Sequence, residues 1–342
     1  MAREGKNFQV WEISRDGRQV RRLTNDLNNY RWLTVSDDGT KLLTSQYIFF
    51  SNIWVFDEEN PQIKKQLPFG TSNRDGYFGI DYFSSGEIVY ASNDGASGDV
   101  NLWRVNPNDN QRRQLTTNAG SHNDYPTISP DDKFIYFASN RGGAAHIWRI
   151  EPHGENPQQI TFGENFNETF PQISPDGEYL YFIRKDAKSS AVWRKSLTGG
   201  TEEKITNEKQ FTPTNILALS PDGKHLGFHN LTEQIEGENT KQNYQIAVLE
   251  TANSQAVKFF SSGGAKVEIF WTADSAAFDY IVHPKGRDEI QRLYLDEKSG
   301  MQIVRTFSNE VIFYIARAPD GKTVAISHGQ QLFDAVLLTS PE

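Results

Sequence analysis

Three observations predict an all-β protein built from one repeated unit. A turn of the Ser-Pro-Asp-Gly kind recurs seven times at intervals of 45 to 52 residues, and its last residues are Gly39, Gly86, Asp132, Gly177, Gly223, Ser275 and Gly321. Pro, Asp and Gly suit tight hairpin turns. The segments that follow these turns alternate or run apolar and are rich in β-branched and aromatic residues. Apolar stripes with the 3.6-residue spacing of helices do not occur, which excludes a helical solenoid.

Two further residue pairs recur at the same positions in successive repeats and complete the unit. The predicted third strands carry an aliphatic residue followed by tryptophan, at Val10-Trp11, Ile53-Trp54, Leu102-Trp103, Ile147-Trp148 and Val192-Trp193. The unit then ends on a pair such as Leu23-Thr24, Leu115-Thr116, Ile160-Thr161 and Ile205-Thr206. Four short strands in about 45 residues are typical of a propeller blade. Seven turns therefore predict a seven-bladed β-propeller of four-stranded antiparallel blades, with its ring closed by an N-terminal strand.

The predicted organisation is a single β-propeller domain over residues 1–342. The repeat units span about 27–70, 71–118, 119–163, 164–207, 208–260, 261–307 and 308–342, and the last is completed by 7–24. Closing the ring in this way removes exposed strand edges. One strand is surplus, either Phe8–Ile13 or Phe333–Leu338, and the chain opens within a blade. Both features suggest excision from a longer protein.

Two segments depart from the repeat. Residues 233–243 form a polar, mostly acidic insert in the fifth unit, which is interpreted as a solvated loop or as a partner-binding loop. In the first unit, Tyr47-Ile-Phe-Phe50 stands where other units are polar or Gly-rich. These aromatic residues are expected to extend strands and pack between blades; an exposed contact patch is the alternative.

Composition excludes several classes of protein. A net charge of −9 argues against binding to a phosphate backbone, which requires clustered Lys and Arg. The absence of cysteine excludes disulfides and Cys-based zinc sites but leaves the compartment open. No run of about 18 apolar residues predicts a membrane-spanning helix, so no membrane insertion is expected.

The repeat also resembles a known family. Tyr125-Pro-Thr-Ile-Ser-Pro-Asp-Asp-Lys-Phe-Ile-Tyr-Phe and Phe170-Pro-Gln-Ile-Ser-Pro-Asp-Gly-Glu-Tyr-Leu-Tyr-Phe resemble the repeat of TolB-type (PD40, or WD40-like) β-propellers. Arg22-Leu-Thr-Asn-Asp-Leu and Ser51-Asn-Ile-Trp-Val resemble the C-terminal propellers of bacterial serine/threonine kinases and winged-helix regulators. The resemblance implies a sensory or protein-interaction module. It is specific for the fold and poor for function, because related propellers bind proteins, gate peptidases or act as oligogalacturonate lyases.

Motifs for catalysis are not found in the sequence. There is no Gly-x-Ser-x-Gly nucleophile elbow, no P-loop and no dinucleotide-binding glycine motif. The seven histidines are scattered, and the sequence gives no sign that they converge on a metal. Asn93–Asp99 offers oxygen ligands and glycines that could hold Ca²⁺, but a plain turn is the preferred interpretation. We therefore expect no cofactor and no metal site.

The predicted functional surface is the rim of the central channel, where the loop before each innermost strand reaches one mouth. Mixed polar, charged and aromatic side chains there suit a polar small ligand or an inserted peptide. The alternative is that they only hydrate the mouth. The candidate ligand- or partner-binding residues are Tyr30, Arg31, Arg74, Asp75, Tyr77, His122, Asn123, Asp124, Glu168, Glu268 and Glu310; Asn29, Asn167, Thr212, Thr214, Lys266 and Asn309 lie in the same segments.

The sequence thus predicts a non-enzymatic binding, sensory or protein-interaction module, part of a larger bacterial signalling or cell-envelope protein. The expected ligand is a protein, a peptide or a small polar molecule, and no nucleic acid. A soluble protein of the periplasm or cell envelope is favoured over a cytoplasmic one, although the chain shows no signal peptide. Two alternatives remain open: a catalytic propeller that acts as a polysaccharide lyase or hydrolase in the channel, and a purely structural repeat domain.

Overall fold

The computed structural model describes most of the chain. The described residues are 2–4, 7–26, 29–60, 64–67, 74–94, 98–117, 119–207, 211–236, 239–254, 256–261, 268–285, 287–296, 298–308 and 311–339. They form strands, turns and loops, which confirms the prediction of an all-β protein. Within these ranges, no helix has the length and apolar character needed to cross a bilayer.

The N-terminal part contains two short hairpins and three further strands. Its strands are β1 (Ala2–Glu4), β2 (Asn7–Gln9), β3 (Trp11–Ile13), β4 (Val20–Arg22), β5 (Asn29–Val35), β6 (Lys41–Asp57) and β7 (Lys64–Gln66). Strand β1 pairs with β2, and β3 pairs with β4.

Five four-stranded antiparallel sheets follow, each with its strands in sequence order. The first two blades contain β8 (Ile80–Tyr82), β9 (Ile88–Ser92), β10 (Asn101–Val105), β11 (Arg112–Gln114), β12 (Asn123–Ile128), β13 (Ile135–Ser139), β14 (His146–Ile150) and β15 (Gln158–Gln159). The third and fourth contain β16 (Phe166–Ile173), β17 (Tyr179–Asp186), β18 (Ser190–Ser196), β19 (Glu202–Lys204), β20 (Pro213–Leu219), β21 (His225–Glu236), β22 (Asn239–Glu250) and β23 (Ala256–Ser261). The fifth contains β24 (Ile269–Trp271), β25 (Ala277–Val282), β26 (Arg287–Tyr294) and β27 (Met301–Ser308).

A sixth blade combines both ends of the chain. Strand β28 (Val311–Arg317) pairs with β29 (Thr323–Thr339), whose first part pairs with the second part of β6, and β6 pairs with β7. The innermost strands β8, β12, β16, β20, β24 and β28 contact one another in a closed ring. The described residues therefore form a six-bladed ring.

The first predicted repeat unit, residues 27–70, does not form a separate blade, which is why the described residues form six blades instead of the predicted seven. Its predicted second and third strands are one continuous strand, β6, of 17 residues. Tyr47-Ile-Phe-Phe50 contains neither Gly nor Pro and consists of good strand formers, so no turn separates the two halves. As a result, residues 51–57 of β6 and strand β7 close the ring. The strands of the predicted closing segment 7–24 pair in hairpins instead, β2 with β1 and β3 with β4.

The remaining part of β6 contributes to a three-stranded arm. We define the arm as β5, residues 41–50 of β6 and residues 330–339 of β29, which pair in that order. At the base of the arm, Gly329 pairs with both Val311 and Ser51. Since Val311 is the first residue of the innermost strand β28, the arm projects from the face of the ring at which the innermost strands begin.

The repeated sequence features have direct structural explanations. All seven predicted turn-ending residues have a positive φ, between 57° and 82°, which glycine adopts most easily. The hydroxyls of Thr116, Thr161 and Thr206 accept hydrogen bonds at 2.9 Å from backbone N–H groups of the third strands. Buried apolar clusters lie between neighbouring blades. The insert at 233–243 extends the β21–β22 hairpin where the structure describes it, instead of forming a loop.

Candidate functional site

A cavity of about 480 Å³ opens at the mouth of the central channel, on the face that carries the arm. Its walls combine aromatic rings with a few polar groups, as is typical of ligand sites. The aromatic lining consists of Tyr77, Phe78, Tyr125, Phe170 and Phe313, and the polar lining of Asn215, Glu268, His283, Asp288 and Gln331. Gln331 belongs to the arm, so the arm forms part of the wall.

Bulges in the innermost strands place side chains in the channel. The pairing register shifts between Asp124 and Thr127, and again between Thr169 and Gln172. Tyr125 and Phe170 lie at these shifts and have φ values of 52° and 57°, which bulky residues rarely adopt. The same conformation recurs at Ile216 in the fourth blade and at Trp32 in the arm, with φ values of 61° and 53°, so it is a feature of the repeated strand.

Tyr125 and Phe170 narrow the channel together. Their ring centroids lie 4.0 Å apart. Together with Glu268 they also line a second cavity of about 270 Å³, which contains Asp81 and Tyr314. Tyr125, Phe170 and Glu268 therefore line both cavities.

The arm is packed against the mouth through Phe49. Its ring lies 4.7 Å from Tyr77 in an edge-to-face arrangement and 5.0 Å from Phe313. The guanidinium of Arg74 covers Phe49 at 4.5 Å from the ring centroid, in a cation–π contact. The predicted strand extension by Tyr47–Phe50 is thus confirmed, and Phe49 joins the arm to the mouth.

Three tyrosine hydroxyls and the Glu268 carboxylate lie close enough in the site to influence one another electrostatically. Burial raises the pKa of Tyr77, Tyr125 and Tyr314, and the negative charge of Glu268 raises each of them further. The three hydroxyls therefore remain neutral at physiological pH. Glu268 places a negative charge beside these aromatic side chains.

A histidine–aspartate pair lies at the edge of the cavity. His283 Nδ1 is 2.9 Å from Asp288 Oδ1, and Asp288 Oδ2 accepts a hydrogen bond from the backbone N–H of Ile312 at 2.6 Å. Asp288 is 5% exposed and is held by the neighbouring blade. The pair orients the exposed imidazole at the mouth.

Three predicted site residues, Asp75, Asn123 and Glu168, are fully buried. Asp75 Oδ1 accepts a hydrogen bond from Ser92 at 2.5 Å, and Asn123 donates to the Val100 carbonyl at 3.1 Å. In this interior position their side chains are not accessible to a partner at the channel mouth.

Glu168 joins two blades. It lies 2.8 Å from His146 of the second blade and accepts a hydrogen bond from Arg184 of its own blade at 2.7 Å. Burying this carboxylate is possible because both partners are cationic or hydrogen-bonding groups.

The other predicted residues lie at different places around the mouth. Tyr77 and Glu268 line the main cavity, whereas His122 and Asp124 line a separate cavity of about 250 Å³ between the second and third blades. His122 Nδ1 lies 3.7 Å from Asp124 Oδ2. Burial raises the pKa of Asp124, and His122 opposes the rise.

Tyr30 and Arg31 belong to the arm instead of the ring. The Tyr30 hydroxyl donates to Asp26 at 2.6 Å, and the Arg31 guanidinium covers Tyr47 at 4.5 Å. Glu310, Lys266 and Asn309 lie outside the described residues. Among the residues that the structure does describe, no group of three or more His, Asp or Glu side chains is placed to hold a metal ion. In the loop considered for Ca²⁺, Asp94 pairs with Arg112.

The profile of the TolB beta propeller domain, PD40, matches residues 51–233. That stretch is more than half of the 342 residues. The chain belongs to the TolB beta-propeller family. This confirms the resemblance found in the repeat sequences. No curated protein sequence matches the chain at a significant level.

Solved structures of other propellers share the fold of this TolB-type chain. A protein assigned as TolB from Agrobacterium tumefaciens is 16% identical with a TM-score of 0.60, over 81% of this chain and 97% of the other. An oligogalacturonate lyase from Vibrio parahaemolyticus is 16% identical with a TM-score of 0.53, over 80% and 77%. Hydrazine synthase from Kuenenia stuttgartiensis is 15% identical with a TM-score of 0.54, over 90% and 94%. At these identities the likeness shows the fold alone.

Proposed function

We propose that this TolB-type propeller is a non-enzymatic binding module that holds a segment of a partner protein at the channel mouth. The observation that carries the proposal is the cavity of about 480 Å³ that five aromatic side chains and the Glu268 carboxylate line together. Ring faces and a carboxylate both attract cations, and the rings also bury apolar surface. The favoured ligand is therefore an extended peptide segment with a Lys or Arg flanked by apolar side chains.

Charge and shape support a basic segment. The chain carries a net charge of −9, which attracts basic partners over long range and raises their association rate. The arm stands beside the cavity, with Phe49 packed on the mouth and Gln331 in its wall. A segment that enters the mouth would therefore contact the arm as well as the ring.

The wider role that we propose is that of a sensory or interaction module within a bacterial signalling or cell-envelope protein. Membership of the TolB family supports a protein partner over a small molecule. In this role the propeller reports on, or anchors, a partner through reversible binding, and the periplasm or cell envelope is its favoured location.

Fluorescence anisotropy with labelled hexapeptides tests the binding proposal. The probes are peptides with a central Arg, Lys or Gln between apolar residues. We expect the Arg and Lys peptides to bind and the Gln peptide to bind at least tenfold more weakly. Glu268→Gln should abolish this preference, whereas Glu250→Gln, an exposed carboxylate away from the mouth, should preserve it. Equal affinity for all three peptides would rule out cation recognition at Glu268.

A catalytic function in the channel is the second candidate, and the His283–Asp288 pair is the observation that favours it. A buried carboxylate that orients an exposed imidazole is an arrangement used in general base catalysis. Incubation with polygalacturonate, followed by absorbance of unsaturated products, tests it. Product formation that is lost in His283→Ala would replace the binding proposal with a lyase; no product with the wild-type chain would leave binding as the function.

A further inference from the structure

The outer edges of the blades are protected against pairing with other strands. Four outermost strands contain only two or three residues, all of them polar: Lys-Lys-Gln in β7, Arg-Arg-Gln in β11, Gln-Gln in β15 and Glu-Glu-Lys in β19. The longer outer strands β23 and β27 each contain a cation, Lys258 or Arg305, and a register shift in their pairing. Short, charged and bulged edges resist edge-to-edge association.

The arm has two outer strands, and of these β5 carries Arg31 and a register shift in its pairing, whereas the β29 edge lacks this protection. Residues 330–339 of β29 pair with β6 on one side, while pairing with β28 stops at Gly329. On the other side, no strand among the described residues pairs with them. The ten residues, Gln-Gln-Leu-Phe-Asp-Ala-Val-Leu-Leu-Thr, contain one charge, and Phe333 and Leu337 are each 56% exposed. A long apolar edge of this kind is a template for another strand.

We propose that this edge pairs with the same edge of a second copy of the chain, antiparallel, with Ala335 opposite Ala335 about a twofold axis. Such an isologous contact is the commonest way in which identical chains associate. It would join the two arms into one continuous six-stranded sheet. The inference is argued from the edge of the arm and goes beyond the proposed ligand binding, and Gln331 is the residue that this edge shares with the wall of the channel cavity.

The register follows from the side chains on the two faces of the arm. With Ala335 at the centre, Phe333 of each copy lies opposite Leu337 of the other, and both residues are on the same face because they are an even number of positions apart. Gln331 to Thr339 are then all paired. A centre at Asp334 would place two carboxylates directly opposite each other, which is destabilising. The centre at Ala335 sets Asp334 against Val336 instead.

The antiparallel arrangement also leaves room for both rings. Gly329 marks the base of each arm, and in this register the two Gly329 residues are separated by twelve residue positions along the strands. At about 3.3 Å per residue this is about 40 Å, so the two propellers stand at opposite ends of the joined arms. Leu43 pairs with Leu337 within each arm, so one apolar strip runs across the joint.

A single cysteine tests the register directly, because the chain contains none. Opposed residues in an antiparallel pair have Cα atoms about 4.5 to 5.5 Å apart, within the range for a disulfide. We expect Ala335→Cys to form a covalent dimer on mild oxidation, seen on a non-reducing gel. Ile303→Cys, on the exposed outer strand β27, is the matched control and should stay monomeric. Equal crosslinking of the two variants would overturn the proposal.

A charge series at Val336 tests the same register without a covalent bond. In the dimer Val336 faces Asp334 of the other copy twice, so Val336→Lys should tighten the dimer about fivefold and Val336→Glu should weaken it by a similar factor. Sedimentation velocity over a range of concentrations measures the dissociation constant, and melting temperatures check that both variants fold. A wild-type chain that is monomeric at all concentrations, or variants that shift the constant in the same direction, would contradict the inference.

Discussion

Arg317, in the innermost strand of the sixth blade, forms an ion pair with Glu58. Glu58 directly follows β6, whose second part belongs to the same blade. Glu58 also accepts a hydrogen bond from Arg292 of the fifth blade at 2.9 Å. Both arginines contact Asp279, whose side chain is 1% exposed. The two arginines and the two carboxylates therefore form an ion-pair network that links the fifth and sixth blades where the ring closes.

The first prediction is that the two carboxylates of this network contribute unequally to the free energy of unfolding. Asp279→Asn leaves two partly buried arginines with less compensation and should lower the free energy of unfolding by about 3 to 5 kcal/mol. Glu58 is more exposed, so Glu58→Gln should cost about 1 kcal/mol or less. Urea unfolding at pH 7 measures both. Equal, small losses would show that the network does not stabilise the ring closure.

The second prediction concerns Asp81, which accepts hydrogen bonds from the N–H groups of Tyr82 at 2.8 Å and Ile128 at 2.7 Å. Burial raises the pKa of Asp81 to about 6. Because an unfolded Asp has a pKa of about 4, the folded chain holds the proton more tightly, and the stability from this group falls as the pH rises from about 4 to about 6. In the wild type this lowers the free energy of unfolding by about 3 kcal/mol over that pH range, and Asp81→Asn should remove the decrease.

Urea unfolding between pH 4 and pH 7 measures this effect as the difference between variant and wild type. Asp37→Asn, at an exposed turn position, is the matched control and should follow the wild-type profile. An Asp81→Asn profile parallel to the wild type would contradict the assignment.

The third prediction has the opposite sign and concerns His328, which stacks on Trp54 at 5.2 Å. Burial, with smaller effects from the cations of Lys64 and Arg305, lowers the pKa of His328 to about 4. The unfolded chain protonates near pH 6.5, so stability is lost as the pH falls from about 6.5 to about 4. His328→Phe retains the stacking and should reduce this loss. If acid unfolding of His328→Phe matches that of the wild type, the histidine is not responsible.

The fourth prediction concerns Gly329, at the base of the arm. A Cβ there would lie 2.0 Å from the Phe50 carbonyl oxygen, so Gly329→Ala must displace the pairing of β29 with β6. We expect a loss of about 1 to 3 kcal/mol and faster hydrogen exchange in residues 41–50 and 330–339. Gly142→Ala, where no atom lies within 4 Å of a Cβ, is the control and should change neither measurement.

Local features of the fold could be predicted from the sequence, whereas long-range pairings could not. The turns ending in residues such as Gly177 and the threonine hydroxyl bonds of Thr161 depend on neighbours in the same repeat, and their pattern is visible in the chain. The continuity of β6 and its pairing with β29 join residues nearly 300 positions apart, so only the lack of a turn at Tyr47–Phe50 hinted at them. The prediction of a separate blade at residues 27–70 was wrong for this reason.

In the candidate site, too, the local position of residues could be predicted from the sequence, whereas their contacts with other blades could not. The sequence located the segments that reach the channel mouth, and Tyr77 and Glu268 do line the cavity. It did not distinguish these from Asn123 and Glu168, because a polar residue before an innermost strand can equally bind a neighbouring blade. Phe170 was missed although it occupies the same repeat position as Tyr125, because the repeat pattern does not show that a bulge there sets the ring in the channel.

The central claim is that the channel mouth binds a cationic segment, and hydrogen–deuterium exchange with the bound Arg-centred hexapeptide tests it most directly. We expect slower exchange in the innermost strands at residues 166–173 and 311–317 and in the arm at residues 41–50. The turns that end at Gly177 and Gly223, on the opposite face, should be unchanged. Protection confined to those turns, or to the outer strands of the blades, would contradict a binding site at the channel mouth.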